Sequence, residues 1–251
     1  VVRISHGVRP LVVAVLLGGV LGVSGCAPSD APDAAASSQA AASRLSTEQA
    51  QRLAIFRFNN FDSGVRAVTF SIAGQQPVTF SGWVDYAAAA GYGFASTTVN
   101  GAADTGLLRF TPQTLGYQPT TLDEAPLPVP ADGWTDSPLD PSATSLSNVV
   151  SVLLSLGNDR PDNPQLLQQT DALWLRSDDV DGVPVDVFAG PTSDAPATAP
   201  PSDAASTIRY WIDETGHLLK AEIPVAGGAD AWTSVEFTDA DAGISLAVPT
   251  P

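Results

Sequence analysis

The chain has little positive charge and almost no sulfur. Of 251 residues only 11 are lysine or arginine, against 27 aspartates and glutamates, and Lys220 is the single lysine. No cluster of cations is present to neutralise a phosphate backbone or to dock onto anionic lipid, which excludes nucleic-acid binding and electrostatic membrane binding. The acidity reads instead as a solvated, self-repelling surface. A single cysteine, Cys26, excludes an internal disulfide and any zinc site built on paired cysteines. Methionine is absent even from position 1, where Val1 reads as a GTG start. With abundant alanine and arginine in place of lysine, that points to a GC-rich genome.

What is present is apolar. Hydrophobic residues make up 44% of the chain and charged ones 15%, enough to fill a core. The first ten residues carry Arg3 and Arg9 and no acid, and Leu11 to Val23 is an unbroken run of Leu, Val, Ala and Gly. As a helix that run rises about 20 Å, short of the ~30 Å hydrocarbon core. It fits the apolar region of an export signal better than a spanning helix. It ends in Val23-Ser24-Gly25-Cys26, which resembles the lipobox of bacterial lipoproteins. The resemblance implies a signal peptide over residues 1–25, cleavage before Cys26, and acyl chains on its thiol. Residues 26–44, rich in Ala, Ser, Asp and Pro, then form a disordered tether of roughly 20–25 Å root-mean-square span.

From Leu45 the pattern becomes that of a folded domain. Ser46 and Gln49 make a capping box, with Leu45 placed to staple against Ala50, and the helix runs through Leu53 and Phe56 to about Phe61. The period then switches to two. Val68, Phe70 and Ile72 alternate with polar residues, followed by Val78 to Val84, a strand with Tyr92 and Phe94, and Leu107 to Phe110. Gln118 to Pro141 is proline-rich and predicts a long irregular connection over one edge. Leu146, Val149, Val150, Leu153 and Leu154 give a second helix with an apolar stripe, capped by Ser142 or Thr144 and ended by Gly157. A short helical piece follows from Pro164 to Gln169. Leu173 to Arg176 and Val183 to Phe188 flank an Asp181-Gly182 turn. Gly190 to Ser206 predicts an exposed loop. Ile208 to Ile212 pairs with Leu218 to Val225 across Asp213 to Gly216, and Trp232 to Phe237 and Ile244 to Val248 close the sheet. The class is α+β: a long, strongly curved antiparallel sheet with two or three helices on one face.

That order, with Gly182-Val183-Pro184-Val185-Asp186-Val187, Tyr210-Trp211-Ile212-Asp213, Gly216, Leu218, Phe237, Ile244 and Val248-Pro249, resembles the periplasmic lipoprotein-carrier superfamily that includes LolA and the actinobacterial lipoproteins LppX and LprG. The likeness spans residues 45–251 apart from the last two. It rests on strand patterns, and the Gly190 to Ser206 and proline-rich stretches depart from it. It implies a half-barrel whose helices lie on the concave face over an apolar cavity for acyl chains. Leu53 and Phe56 on the first helix and Val149 and Leu153 on the second are then the cavity candidates. The alternative is that the same stripes pack a closed core.

Catalytic chemistry is not legible. His6 lies in the signal peptide and His217 beside a hairpin turn, and no G-x-S-x-G elbow occurs. Asp178, Asp179 and Asp181 before Gly182 lack the first-position acid and twelfth-position glutamate of a calcium loop, where Ser177 and Phe188 stand. Asp239 and Asp241 before Gly243 fail likewise. Gly91-x-Gly93 lacks the third glycine of a dinucleotide fingerprint and reads as a strand feature. Trp174 and Trp211 read as core. The expectation is a monomeric lipoprotein, anchored on the outer face of the cytoplasmic membrane, that binds a lipid without enzyme activity, metal or cofactor. A filled-core envelope adaptor with a protein partner is the rival.

Overall fold

A computed structural model of the chain describes residues 42–74, 76–99, 102–192, 208–226, 231–241 and 244–247. The chain divides into two units, Val1–Ser38 and Gln39–Pro251. Val23, Ser24, Gly25 and Cys26, with the expected signal peptide and all but the end of the tether, lie outside the described residues, as do residues 193–207.

Strand β1 is Ser43–Arg44, and helix α1 is Thr47–Ser63. The helix starts where the Ser46 hydroxyl accepts from the Gln49 N–H (3.2 Å) and the Gln49 side chain accepts from the Ser46 N–H (2.9 Å). It ends at Gly64, whose φ of +69° favours glycine. A meander follows: β2 (Val65–Ile72), β3 (Val78–Asp85), β4 (Ala90–Val99), β5 (Ala102–Phe110), β6 (Thr114–Pro119) and β7 (Thr135–Pro138). Helices α2 (Ser145–Ser155) and α3 (Pro164–Leu167) come next. The second meander is β8 (Leu173–Val180), β9 (Val183–Ala189), β10 (Arg209–Asp213), β11 (Leu218–Pro224) and β12 (Trp232–Asp239). All pairs are antiparallel, and the two meanders join into one twelve-stranded sheet where β12 pairs β2. The fold is α+β, a curved open sheet with three helices, as the hydrophobic periods imply.

The pleat sorts the side chains. Val68, Phe70 and Ile72 of β2, Phe80 and Val84 of β3, Leu108 and Phe110 of β5 and Val235 and Phe237 of β12 bury against Leu53 and Phe56 of α1 and Val149, Val150 and Leu153 of α2. Gly91 and Gly93 belong to this face. The Phe110 ring lies against Gly91, and a Cβ on Gly93 would come within 2.6 Å of the Phe80 ring. These glycines let aromatic rings lie flat on the sheet floor, and no nucleotide loop is involved.

Four details differ from the sequence expectation. The tether was expected to reach Arg44, but Ser43 and Arg44 already pair with Trp174 and Leu173 and extend the exposed edge of β8. The proline-rich stretch is irregular over residues 120–134 as expected, but β7 forms within its last part, and the irregular segment packs on the outer face of the sheet. Its Ala125, Val129 and Trp134 pack with Tyr92 and Leu107 there, held by hydrogen bonds from Tyr92 to the Pro126 carbonyl (2.9 Å) and from Trp134 to the Pro130 carbonyl (2.8 Å). Proline cannot donate to a ladder, but its carbonyl still accepts. The expected closing strand at Ile244 to Val248 is not a strand in its described residues, Ile244 to Leu246 included. Both edges of β12 are already paired, so Ile244 and Leu246 join the same outer cluster instead. Finally, α2 stops at Ser155 with Leu156 as its cap, and Gly157, which follows directly, lacks the positive φ of a left-handed glycine cap.

Candidate functional site

A cavity of about 510 Å³ lies between α1, the end of α2, α3 and the start of β10. Leu53, Phe56, Leu156, Leu166, Leu167 and Tyr210 form most of its apolar wall. Arg57, Ser155, Asp162, Asn163 and Thr170 supply the polar atoms. Leu166 is 56% exposed, so apolar surface reaches solvent at this site.

Local chemistry holds the wall in place. Asn163 caps α3 by accepting from the N–H groups of Gln165 (2.9 Å) and Leu166 (3.3 Å), and Pro164 fits the first turn. The loop between α2 and α3 is fastened to α1 through its backbone: Asn158 N–H donates to the Arg57 carbonyl (3.0 Å) and Asp162 N–H to the Ala54 carbonyl (2.9 Å). The Arg57 Nε donates to the Ser155 carbonyl (3.0 Å), and its Nη1 lies 3.5 Å from Asp162 Oδ1. Elsewhere α1 is fixed to the sheet by the Arg52–Asp186 ion pair and by Asn59 Nδ2, which donates to the carbonyls of Thr215 (3.1 Å) and Gly216 (2.9 Å). Gly216, at φ +86°, sits directly under Ile55, where a side chain would collide.

Two of the four cavity candidates, Leu53 and Phe56, lie on this wall; Val149 and Leu153 do not. Both lie on α2 and are wholly buried, packed with the sheet residues in the main core cluster. Tyr210, Arg57, Asp162 and the α3 leucines were not among the candidates. Tyr210 had a signal: it shares an inward phase with Ile212. Arg57 lies on α1 next to Phe56, Asp162 lies in the α2–α3 loop, and the leucines lie on α3, too short to show a period.

Tyr210 is the unusual group. Its ring centroid lies 4.9 Å from that of Phe56. Burial pushes its hydroxyl up to about 12, with nearby Arg57 pulling the other way and Asp162 adding to the rise. The hydroxyl therefore stays protonated.

The other singled-out residues are structural. His217 Nδ1 lies 2.8 Å from the Thr215 hydroxyl and 3.8 Å from Asp213 in an exposed turn. Asp178 accepts from the Trp211 indole (2.9 Å), Asp179 accepts from the Gly182 N–H (2.7 Å), and Asp181 takes the left-handed turn position at φ +52°. Trp211 is buried on the outer face with Lys220 and Arg176 over its ring, and Trp174 is half-buried, donating to Asp186. Asp239 lies 3.5 Å from Arg66, while Gly243 lies outside the described residues. No group of three metal-ligating side chains converges among the described residues. No helix among them is long and apolar enough to cross a membrane.

Two of these carboxyls set an acid limit on stability. The Trp211 indole N–H, against a smaller opposing effect of burial, holds Asp178 below the usual carboxylate range. Burial of Asp213 acts to raise it, but hydrogen bonds from the His217 and Thr215 backbone and the Thr215 hydroxyl together lower it. A lowered carboxyl means the folded state binds fewer protons than the unfolded chain, so this stability is present at neutral pH and lost as pH falls through the folded values. Urea midpoints are expected to fall steeply below about pH 4, with Asp178→Asn showing a shallower fall than the parent. Parallel profiles for the two would rule the Asp178 contribution out.

The chain matches no protein-family model. No curated protein matches it in sequence either. Among solved structures, a domain from Vibrio parahaemolyticus described as an outer membrane lipoprotein-sorting protein domain aligns over 73% of this chain and 88% of its own, with 14% identity and a TM-score of 0.21. The class of fold rests on the sheet and helices themselves.

Proposed function

We propose that this chain is a membrane-tethered lipid-binding protein of the cell envelope. Acyl chains on Cys26 hold it at the outer face of the cytoplasmic membrane, and the domain takes up one acylated or otherwise apolar molecule reversibly, as a monomer, with no covalent step and no cofactor. The observation that carries the reading is the cavity of about 510 Å³ walled by Leu53, Phe56, Leu166 and Tyr210. Its volume falls within the range of small-ligand sites, and its apolar wall gains from excluding water. Native mass spectrometry of protein purified without its acyl anchor is expected to show one co-purifying apolar molecule per chain. A bare mass, together with no uptake of added lipid, overturns the proposal.

The second reading is an envelope adaptor of the same fold that binds a protein partner. What favours it is the packing under α2, where Val149, Val150 and Leu153 are wholly buried in the main core cluster. The bare mass is the outcome that this reading expects.

A further inference from the structure

The chain enters the folded domain beside the cavity. Ser43 and Arg44 pair with Trp174 and Leu173 at the start of β8. The next residue, Leu45, is buried, and its carbonyl accepts from Gln168 Nε2 (3.2 Å). Gln168 is the C-cap of α3, directly after Leu166 and Leu167 of the cavity wall. Thr170 of the same wall stands three residues before Leu173. The point where the N-terminal segment joins the domain is thus fastened to α3 within a few residues.

Exposed apolar side chains mark two places where the domain could meet a bilayer. One is Leu166 on α3, at the cavity. The other is the proline-rich stretch, where Leu122 is 48% and Leu127 is 44% exposed. Exposure does not choose between them. Charge does not choose either, because 27 acids against 11 bases supply no attraction to an anionic surface. The point of attachment does. In the sheet order β6, which leads into the Leu122 stretch, stands ten places from β1. At the usual spacing between strands that is roughly 50 Å along the sheet. The chain from Cys26 to Ala42 has 17 residues, and a coil of that length spans roughly 20–25 Å root-mean-square. A chain held at Cys26 therefore keeps α3 within its own reach, while the Leu122 stretch lies about twice that far away along the sheet.

We infer that the α3 side of the domain, with Leu166 and the cavity beside it, is the surface that meets the lipid bilayer. This rests on the tethering proposed above, and the test separates the two. Leu166→Cys and, for comparison, Leu122→Cys are made in the full chain and purified in the acylated form. Each is labelled at its new thiol with an environment-sensitive nitrobenzoxadiazole dye, Cys26 being consumed in its thioether. The proteins are reconstituted into phosphatidylcholine vesicles with and without doxyl-labelled phosphatidylcholine, which quenches on contact. Both positions are exposed, so both variants are expected to fold, and circular dichroism spectra matching the parent check this. The dye at position 166 is expected to be quenched at least threefold more strongly than the dye at position 122. Equal quenching at the two positions, stronger quenching at 122, or quenching at neither in protein that floats with the vesicles overturns the inference and leaves the tethering intact. Protein that does not float with the vesicles removes the tethering, and this inference with it.

Discussion

Cys26→Ser is expected to abolish incorporation of radiolabelled palmitate and to leave residues 1–25 attached to the protein. The thiol is the only sulfur nucleophile in the chain, and it stands directly after the small residues Ser24 and Gly25, just past the apolar run Leu11 to Val23. A serine hydroxyl cannot form the thioether, so the effect is all or none rather than graded. Its consequence for location is large. Each buried CH₂ contributes about 0.8 kcal/mol, one acyl chain holds a protein only marginally, and two or more hold it stably. Intact-mass measurement of the parent protein should place its N-terminus at Cys26 with acyl mass added. Label retained by the serine variant, or a parent N-terminus found elsewhere, would sink the tethering proposal.

The largest effect on folding is expected at Arg66. This guanidinium is 2% exposed, on the same face of β2 as Val68, Phe70 and Ile72. It donates to the Thr238 carbonyl through Nε (3.3 Å), to Asn60 Oδ1 through Nη1 (3.3 Å), and to the Leu218 carbonyl through Nη2 (3.2 Å). Asn60, wholly buried on α1, in turn donates to the Leu156 carbonyl (2.9 Å). One side chain thus ties the end of α1 to β2, β11 and β12, and through Asn60 to the end of α2. Arg66→Ala leaves buried acceptors unpaired and opens a void, and it is expected to cost about 3–5 kcal/mol. For a domain of this size that lowers the thermal midpoint by roughly 10 °C. Asp239, the acidic neighbour of Arg66, is 93% exposed. Water screens an ion pair of that kind, so Asp239→Asn is expected to change the midpoint little. Equal losses from the two variants would mean that the ion pair, rather than the buried carbonyls, holds Arg66 in place.

Arg66 also shows what pattern reading passes over. The alternation that marks β2 as a half-buried strand places residue 66 on the inward side, in step with Val68 and Phe70. An arginine at such a position is informative, because a buried charge demands partners. Besides Asn60, those partners are carbonyls from positions more than 150 residues away, and no local signal names them. The same holds for the cavity. Leu53 and Phe56 were legible as one stripe of α1, and Val149 and Leu153 as one stripe of α2. Whether a stripe closes against the sheet or stands off it depends on where the neighbouring helix lies. Under α2 it closes. Beside α1 the wall is completed by Tyr210 and by α3, a helix of four residues with too little length to show a period.

The sequence by itself determined the helix starts, through the Ser46–Gln49 box and the proline at position 164, most strands through their alternation, the Asp181-Gly182 turn, and the α+β class. Each is a local matter, decided by hydrogen bonds and side-chain phase within a few residues. The tertiary structure alone decided that β12 joins β2 to make one sheet, that the proline-rich stretch and Ile244–Leu246 cover the outer face, and which apolar stripe is left with empty space beside it. Those outcomes depend on which edges and faces remain unpaired once the other elements are in place. That is a property of the whole packing, written in no single segment.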